Sequence, residues 1–358
     1  MNVLIICSNI TPNGGTERAV SNLVDMLSDE DGMNVAIISL ISKPGDKSYF
    51  SIDGAKIYHL AQKPLKSKFF SKLFWYINVN FDKLSKFIIK NDIKADVILG
   101  IGHNINVILP FFKKKGMRIF GCEHIAFNTI PSIFRWILKI MYPFLDGIVV
   151  LSSTAKNKVS TYNKKIVVIP NSLPFIAPHM AQLKELRIIM VGRLSKEKGY
   201  ERLIPIAKSL QKKHVNWHID IYGNGEQFEL LSNLFAENKV NEFVRLRGSI
   251  KNVVEEYLTS SILIMTSYTE AFPMVLLEAK SCGLPVIAYE CEGTNELIRN
   301  GIDGYIIPNN NYIEFVNKTS ELMESYERRL NMGNQAFVDV LKYKKEFISK
   351  QWSELLRG

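Results

Sequence analysis

Leu186-Arg187-Ile188-Ile189-Met190-Val191-Gly192-Arg193-Leu194-Ser195-Lys196-Glu197-Lys198-Gly199 runs from an apolar stretch into a basic, glycine-containing loop and on toward a helical pattern. It reads as a strand, a loop and a helix start. Outward from it the same cycle repeats. Downstream come a helix over Gly199–Leu210, a strand over Trp217–Tyr222, a helix over Glu226–Glu237, and strands over Val244–Arg247, Ile262–Thr266, Pro285–Ala288 and Gly304–Ile307. Upstream, strands are expected at Val3–Cys7, Val35–Leu40, Asp96–Gly100, Arg118–Gly121, Gly147–Leu151 and Ile166–Ile169, with a first helix over Thr16–Leu27. Strands alternating with helices imply parallel βαβ units and a doubly wound sheet. The polar, proline-containing link Leu173–Glu185 divides the series. The expected organisation is an α/β chain with two Rossmann-like domains, 1–172 and 173–339, facing across a cleft. A last helix at about 340–358 is expected to pack back on the first domain.

The 358 residues are 47% hydrophobic, 22% charged and 11% aromatic, which excludes disordered, collagenous and coiled-coil classes. Cys7, Cys122, Cys282 and Cys291 form no CxxC pair, as expected in a reducing compartment. The apolar run Val3–Cys7 is too short for a signal-peptide core, and no stretch approaches the ~20 apolar residues of a spanning helix. A cytoplasmic protein is expected. The net charge of +10 lies wholly in residues 1–172, which hold 22 Lys and Arg against 12 Asp and Glu, while 173–358 hold 23 of each. Within that half Lys63, Lys66, Lys68 and Lys72 interleave with Leu65, Phe69, Phe70, Leu73, Phe74, Trp75 and Tyr76. Such a segment suits an anionic membrane interface. It equally suits a solvated helix face over the domain's own core. No helix-turn-helix, zinc-finger or RNP signature supports nucleic acid as a partner.

Three loops carry chemistry. Asn13-Gly14-Gly15-Thr16-Glu17-Arg18 follows the opening strand and starts a helix, whose free N–H groups suit an anion; a plain strand-to-helix turn would read the same. Arg193 and Lys198 are expected to converge over the N-terminus of the helix beginning at Gly199, two cations for a diphosphate. Ile221-Tyr222-Gly223-Asn224-Gly225-Glu226 repeats the pattern, with Gly223 permitting close approach. In Glu270-Ala271-Phe272-Pro273-Met274-Val275-Leu276-Leu277-Glu278-Ala279, a carboxylate at the loop mouth precedes another about ten ångströms along the next helix. Two carboxylates so placed suit a ligand with a sugar at each end, and the N–H groups of Phe272, Met274 and Val275 suit an anion between them. No DxD, HxH or Cys/His cluster is present to hold a metal, and none is expected.

Taken in order, GGTER, Glu123-His124, Val168-Ile169-Pro170-Asn171, VGRLSKEKG, IYGNGE and EAFPMVLLE with SCGLPVIAYECEGTNELI resemble the retaining GT-B glycosyltransferases of family 4 over nearly the whole chain. The wording is similar to bacterial enzymes of capsule, O-antigen and lipid-linked oligosaccharide synthesis. The resemblance implies transfer of a sugar, with configuration kept, from a nucleotide sugar such as a UDP-linked hexose or N-acetylhexosamine. It implies a polyprenyl-diphosphate-linked saccharide acceptor and no cofactor; the basic first domain adds the expectation of peripheral contact with the inner face of the cell membrane. Position by position, Arg193 and Lys198 would bind the diphosphate with Gly15 and the Phe272, Met274 and Val275 backbone. Glu270 would hold hydroxyls of the transferred sugar, Glu278 the ribose, and the Gly248–Ile250 region the base, with Gly223 also on the donor side. Arg18, Glu123 and His124 would line the acceptor side, with His124 beside the anomeric carbon. Ser172 departs from the glycine common after Pro-Asn. Three other readings stay open: a sugar-nucleotide epimerase of the same fold, a dehydrogenase, disfavoured by the missing GxGxxG, and a basic membrane or nucleic-acid adaptor.

Overall fold

The computed structural model describes residues 1–62 and 82–358; the lysine- and aromatic-rich stretch 63–76 lies outside the described residues. The chain divides into two units, Met1–Ser172 with Lys345–Gly358, and Leu173–Lys344.

In the first unit, strands β1 (Asn2–Cys7), β2 (Asn34–Ser39), β3 (Ala55–His59), β4 (Val97–Ile101), β5 (Arg118–Glu123), β6 (Gly147–Val150) and β7 (Ile166–Val168) form one sheet. Its order is β3-β2-β1-β4-β5-β6-β7, and every pairing is parallel. Such a sheet is buried on both faces, so its strands are near-continuous apolar runs. In β1, Val3, Ile5 and Cys7 face one core layer with helix α1 (Gly15–Ser28), while Leu4 and Ile6 face the other. Helix α2 (82–90), α3 (His103–Asn106), α4 (Ser132–Met141) and α5 (Ser153–Val159) complete the unit's main chain-order series. The unit also contains the last helix of the chain, Lys345–Arg357, whose Ile348, Trp352, Leu355 and Leu356 are buried with Leu23, Val24 and Leu27 of α1.

The second unit holds β8 (Arg187–Val191), β9 (His218–Tyr222), β10 (Val244–Gly248), β11 (Ile262–Met265), β12 (Val286–Tyr289) and β13 (Gly304–Ile307), ordered β10-β9-β8-β11-β12-β13 and again parallel. Both sheets reverse their winding direction once, beside β1 and beside β8. The expected α/β class with two doubly wound parallel sheets is what the structure shows.

Two expectations are corrected. Strand β3 was not foreseen: Ala-Lys-Ile-Tyr-His is a half-exposed edge without the apolar run of its neighbours. The helix expected from Gly199 is α6 (Leu203–Lys213), preceded by tight turns over Lys196–Lys198 and Tyr200–Arg202. Gly199 is left-handed, φ +61°, and interrupts the helix before it can start.

Candidate active site

In a doubly wound sheet, ligands sit outside the carboxyl ends of the strands at the point where the winding reverses. In the second unit that point lies between β8 and β11, and the loops leaving these two strands meet there. Past β8, Tyr200 donates its hydroxyl to Gly192 O at 3.0 Å, and the Lys196–Lys198 turn docks on the β11 loop through Tyr268 N donating to Glu197 O at 2.9 Å. A side chain at Gly199 would stand 2.6 Å from Thr266 O, so only glycine admits this approach. The result is a pair 72 residues apart in sequence: Lys198 Nζ donates to Glu270 Oε1 at 2.6 Å. Ser267 Oγ donates to the same oxygen at 2.8 Å. Both members are mostly buried, and with Tyr200, Thr266, Ser267 and Val275 they line a cavity. Arg193 stands outside that lining, solvent-exposed, with its guanidinium 2.8 Å from Glu197. Lys198 therefore faces Glu270, not the start of α6.

After Glu270 the chain turns through Phe272 and Pro273 into α7 (Met274–Ser281). Pro273 is its N-cap and offers no side-chain hydrogen bond, so the leading N–H groups of Met274 and Val275 gain no side-chain cap from it. The turn is braced from behind. Gly293 N donates to Glu270 O at 2.9 Å, and a Cβ at Gly293 would meet Pro273 Cδ at 2.4 Å. Phe272 is buried edge-on against Tyr343, ring centres 5.7 Å apart. Glu278 is only 2% exposed, and Tyr257 donates its hydroxyl to it at 2.9 Å. Gly223 is required by packing, since a Cβ there would lie 1.9 Å from Gly192 O. Ile250 lies half-buried on the loop after β10. Glu278, Gly223 and Ile250 are outside the lining of the Lys198–Glu270 cavity.

In the first unit Gly15 opens α1. The Glu17 carboxylate folds back so that a Cβ on Gly14 would be 2.2 Å from Oε2. Arg18 lies over the Phe50 ring at 5.3 Å. At the end of β5, Glu123 and His124 point into different surroundings. Glu123 is buried; Asn106 Nδ2 donates to its Oε1 at 2.7 Å and the Tyr142 hydroxyl donates to the same oxygen. Its other oxygen has no hydrogen-bond partner among the described residues. Burial pushes this carboxyl up to about 7, against the pull of the Tyr142 and Asn106 hydrogen bonds. His124 lines a cavity with Leu23, Asn171, Ser172 and Trp352, and its Nδ1 is buried and has no hydrogen-bond partner among the described residues. Burial lowers His124 to about 4, so its imidazole is neutral near pH 7.

Two family models cover most of the chain: "Glycosyltransferase Family 4" matches residues 13–174 and "Glycosyl transferases group 1" matches 175–338. The chain belongs to the family 4 glycosyltransferases. This family 4 protein is 28% identical to the amylovoran biosynthesis glycosyltransferase AmsD of Erwinia amylovora over 99% of both chains. It is 24% identical to a Campylobacter jejuni α-1,4-N-acetyl-D-galactosaminyltransferase, named for a diphospho-undecaprenol-linked acceptor, over 96% of this chain and 95% of that one. Its fold is shared by the TarM variant of S. aureus solved with fondaparinux, α-GlcNAc-glycerol and UDP: TM-score 0.81, 15% identity, all of both chains covered. Three supporting residues of this family 4 glycosyltransferase were not foreseen. Arg202 is buried, donates to Thr266 O at 2.9 Å and Asn309 Oδ1 at 2.7 Å, and stacks 3.6 Å from the Tyr289 ring centre, bracing the loop that carries Ser267. Asn106 and Tyr142 hold Glu123. None stands in a motif, and the partners of each come from distant segments.

Proposed function

We propose that the protein transfers a sugar from a UDP-linked donor, with retention and without a metal, to a polyprenyl-diphosphate-linked saccharide in surface polysaccharide synthesis. The observation that carries this reading is the Lys198–Glu270 pair at the winding reversal of the second unit, beside the N-terminus of α7. One N–H of the ammonium goes to Glu270, and two more suit phosphate oxygens. Charge grows on the diphosphate as it leaves, so Lys198, Arg193 and the Met274 and Val275 N–H groups stabilise the transition state beyond the ground state. Glu270 accepts hydrogen bonds from hydroxyls of the moving sugar. The acceptor hydroxyl attacks from the face of the departing diphosphate through an oxocarbenium-like state and passes its proton to a phosphate oxygen. A neutral His124 then positions the acceptor side. Glu278, whose Oε2 accepts the Tyr257 hydroxyl, accepts hydrogen bonds from the ribose. Full-length relatives named as transferases, one with a diphospho-undecaprenol acceptor, favour transfer over epimerisation.

The test is anomeric NMR of the product formed from a UDP-sugar and a polyprenyl-diphosphate saccharide in EDTA. Retention is expected; inversion, or activity lost to the chelator and restored by Mg²⁺, contradicts the mechanism. A thermal shift with UDP is expected to exceed that with GDP.

A further inference from the structure

Helix α4 is apolar on two sides. Its inner side packs into the first unit through Phe134, Ile137, Leu138 and Met141. On its outer side Ile133, Trp136 and Ile140, spaced three and four apart, share one stripe and are 37%, 63% and 45% exposed. The turn that follows, Tyr142–Phe144, ends on a Phe144 that is 62% exposed. A helix of a soluble domain normally turns a polar stripe outward. The charge around this stripe is mainly positive. Residues 103–146 contain Lys113, Lys114, Lys115, Arg118, Arg135 and Lys139 against two carboxylates, the buried Glu123 and Asp146, which pairs with Lys113. Lys113 Nζ lies 2.6 Å from Asp146 Oδ1, which brings the lysine run beside the Phe144 turn.

We propose that this face, Ile133, Trp136, Ile140 and Phe144 with Arg135, Lys139 and the Lys113–Lys115 run, is a docking surface for an anionic lipid bilayer. An exposed tryptophan and phenylalanine among cations match the boundary between headgroups and acyl chains, where the ring enters and the cation stays with lipid phosphate. The inference rests on the lipid-linked acceptor reading and assigns membrane contact to particular residues outside the 63–76 stretch.

Purified full-length protein is sedimented with phosphatidylethanolamine/phosphatidylglycerol vesicles and with phosphatidylcholine vesicles, as parent, Trp136→Ser, Arg135→Gln/Lys139→Gln, and Lys66→Gln/Lys68→Gln/Lys72→Gln. Trp136→Ser is expected to weaken binding to the anionic vesicles at least about tenfold. The paired cation change is expected to weaken it about twenty-five-fold, from roughly fivefold per cation. Both are expected to keep the parent melting temperature, since all three side chains lie on the surface, and the parent is expected to leave phosphatidylcholine vesicles unbound. Parent-like sedimentation of both α4 variants, with loss confined to the Lys66/Lys68/Lys72 variant, overturns the assignment. So does a parent dimer that Trp136→Ser converts to monomer, which makes the face a contact between copies. UDP release from the donor without vesicles reads the chemistry separately. A parent that turns over but ignores anionic vesicles refutes the membrane surface alone, and one that binds vesicles but never turns over refutes the transferase mechanism.

Discussion

Replacing Lys198 by alanine examines the centre of the proposed mechanism. The ammonium lies 2.6 Å from Glu270 Oε1 and is about three-quarters buried, so its field at a neighbouring phosphate is less screened than that of a surface lysine. Removing one such electrostatic stabiliser lowers kcat about 10²–10³-fold, or about 3–4 kcal/mol. The substitution also leaves the Glu270 carboxylate with Ser267 as its remaining side-chain donor, close to where a dianion must sit. Two causes could therefore produce one loss, and a double-mutant cycle separates them. Initial rates of UDP release are measured for parent, Lys198→Ala, Glu270→Gln and the combined variant. If Lys198 contacts the diphosphate, the combined variant falls below both single variants. If Lys198 serves only as the counter-ion of Glu270, the combined variant matches Glu270→Gln. A Lys198→Ala enzyme with parental kcat, or with the whole loss in KM, refutes the transition-state argument.

Arg193→Ala is expected to lower kcat about 10²-fold, the low end of that range, because its guanidinium is exposed; steady-state rates at saturating donor decide this. Glu123 holds a proton in the folded state up to about 7, whereas its ordinary value is 4.5. Its contribution to stability is complete below the ordinary value and is lost as pH rises through about 7, a difference of about 3 kcal/mol. Glu123→Gln is thus expected to gain on the parent in urea melts between pH 5 and pH 8, and a constant gap contradicts the assignment. Lys280 is buried between Asp303 Oδ2 at 3.3 Å and Asp339 Oδ2 at 2.9 Å. Lys280→Met removes the buried ammonium and leaves Asp303 to Arg299, and Asp339 to Arg299 and Lys342, so the expected cost by chemical denaturation is about 3 kcal/mol, the low end for a broken buried pair. Gly223→Ala forces a Cβ to 1.9 Å from Gly192 O and is expected to lower the melting temperature and abolish the UDP thermal shift together.

The alternation of strands and helices was legible because each buried strand is a short apolar run ended by glycine or a polar loop. Val3–Cys7 and Ile262–Met265 are examples. Edge strand β3 lacked that signal: its residues are only partly buried, Ala55 and Ile57 against one core layer and Tyr58 against the other, with Lys56 exposed between them. The start of α6 was misplaced for a related reason. Tyr200-Glu201-Arg202 has helical composition, but Gly199 adopts a left-handed turn that composition does not reveal. For the candidate site, residue types and loop positions could be read, and the pairing could not. Lys198 meets Glu270 because β8 and β11 are sheet neighbours, a fact of strand order. Arg202 has no such cue, since its meaning depends on Thr266, Asn309 and Tyr289. Burial also lay beyond spacing arguments: eight residues separate Glu270 from Glu278, yet the second carboxylate faces Tyr257 inside the unit.

The final helix completes a core whose other walls come from the first 172 residues, and this sets an order on biogenesis. Leu23, Val24 and Leu27 share their core layer with Ile5 and Ile37 of the early strands and with Ile348, Trp352 and Leu355, which are translated after all of the Leu173–Lys344 unit. On the ribosome the downstream unit has its whole sequence first, and the opening segment waits for the last wall of its core.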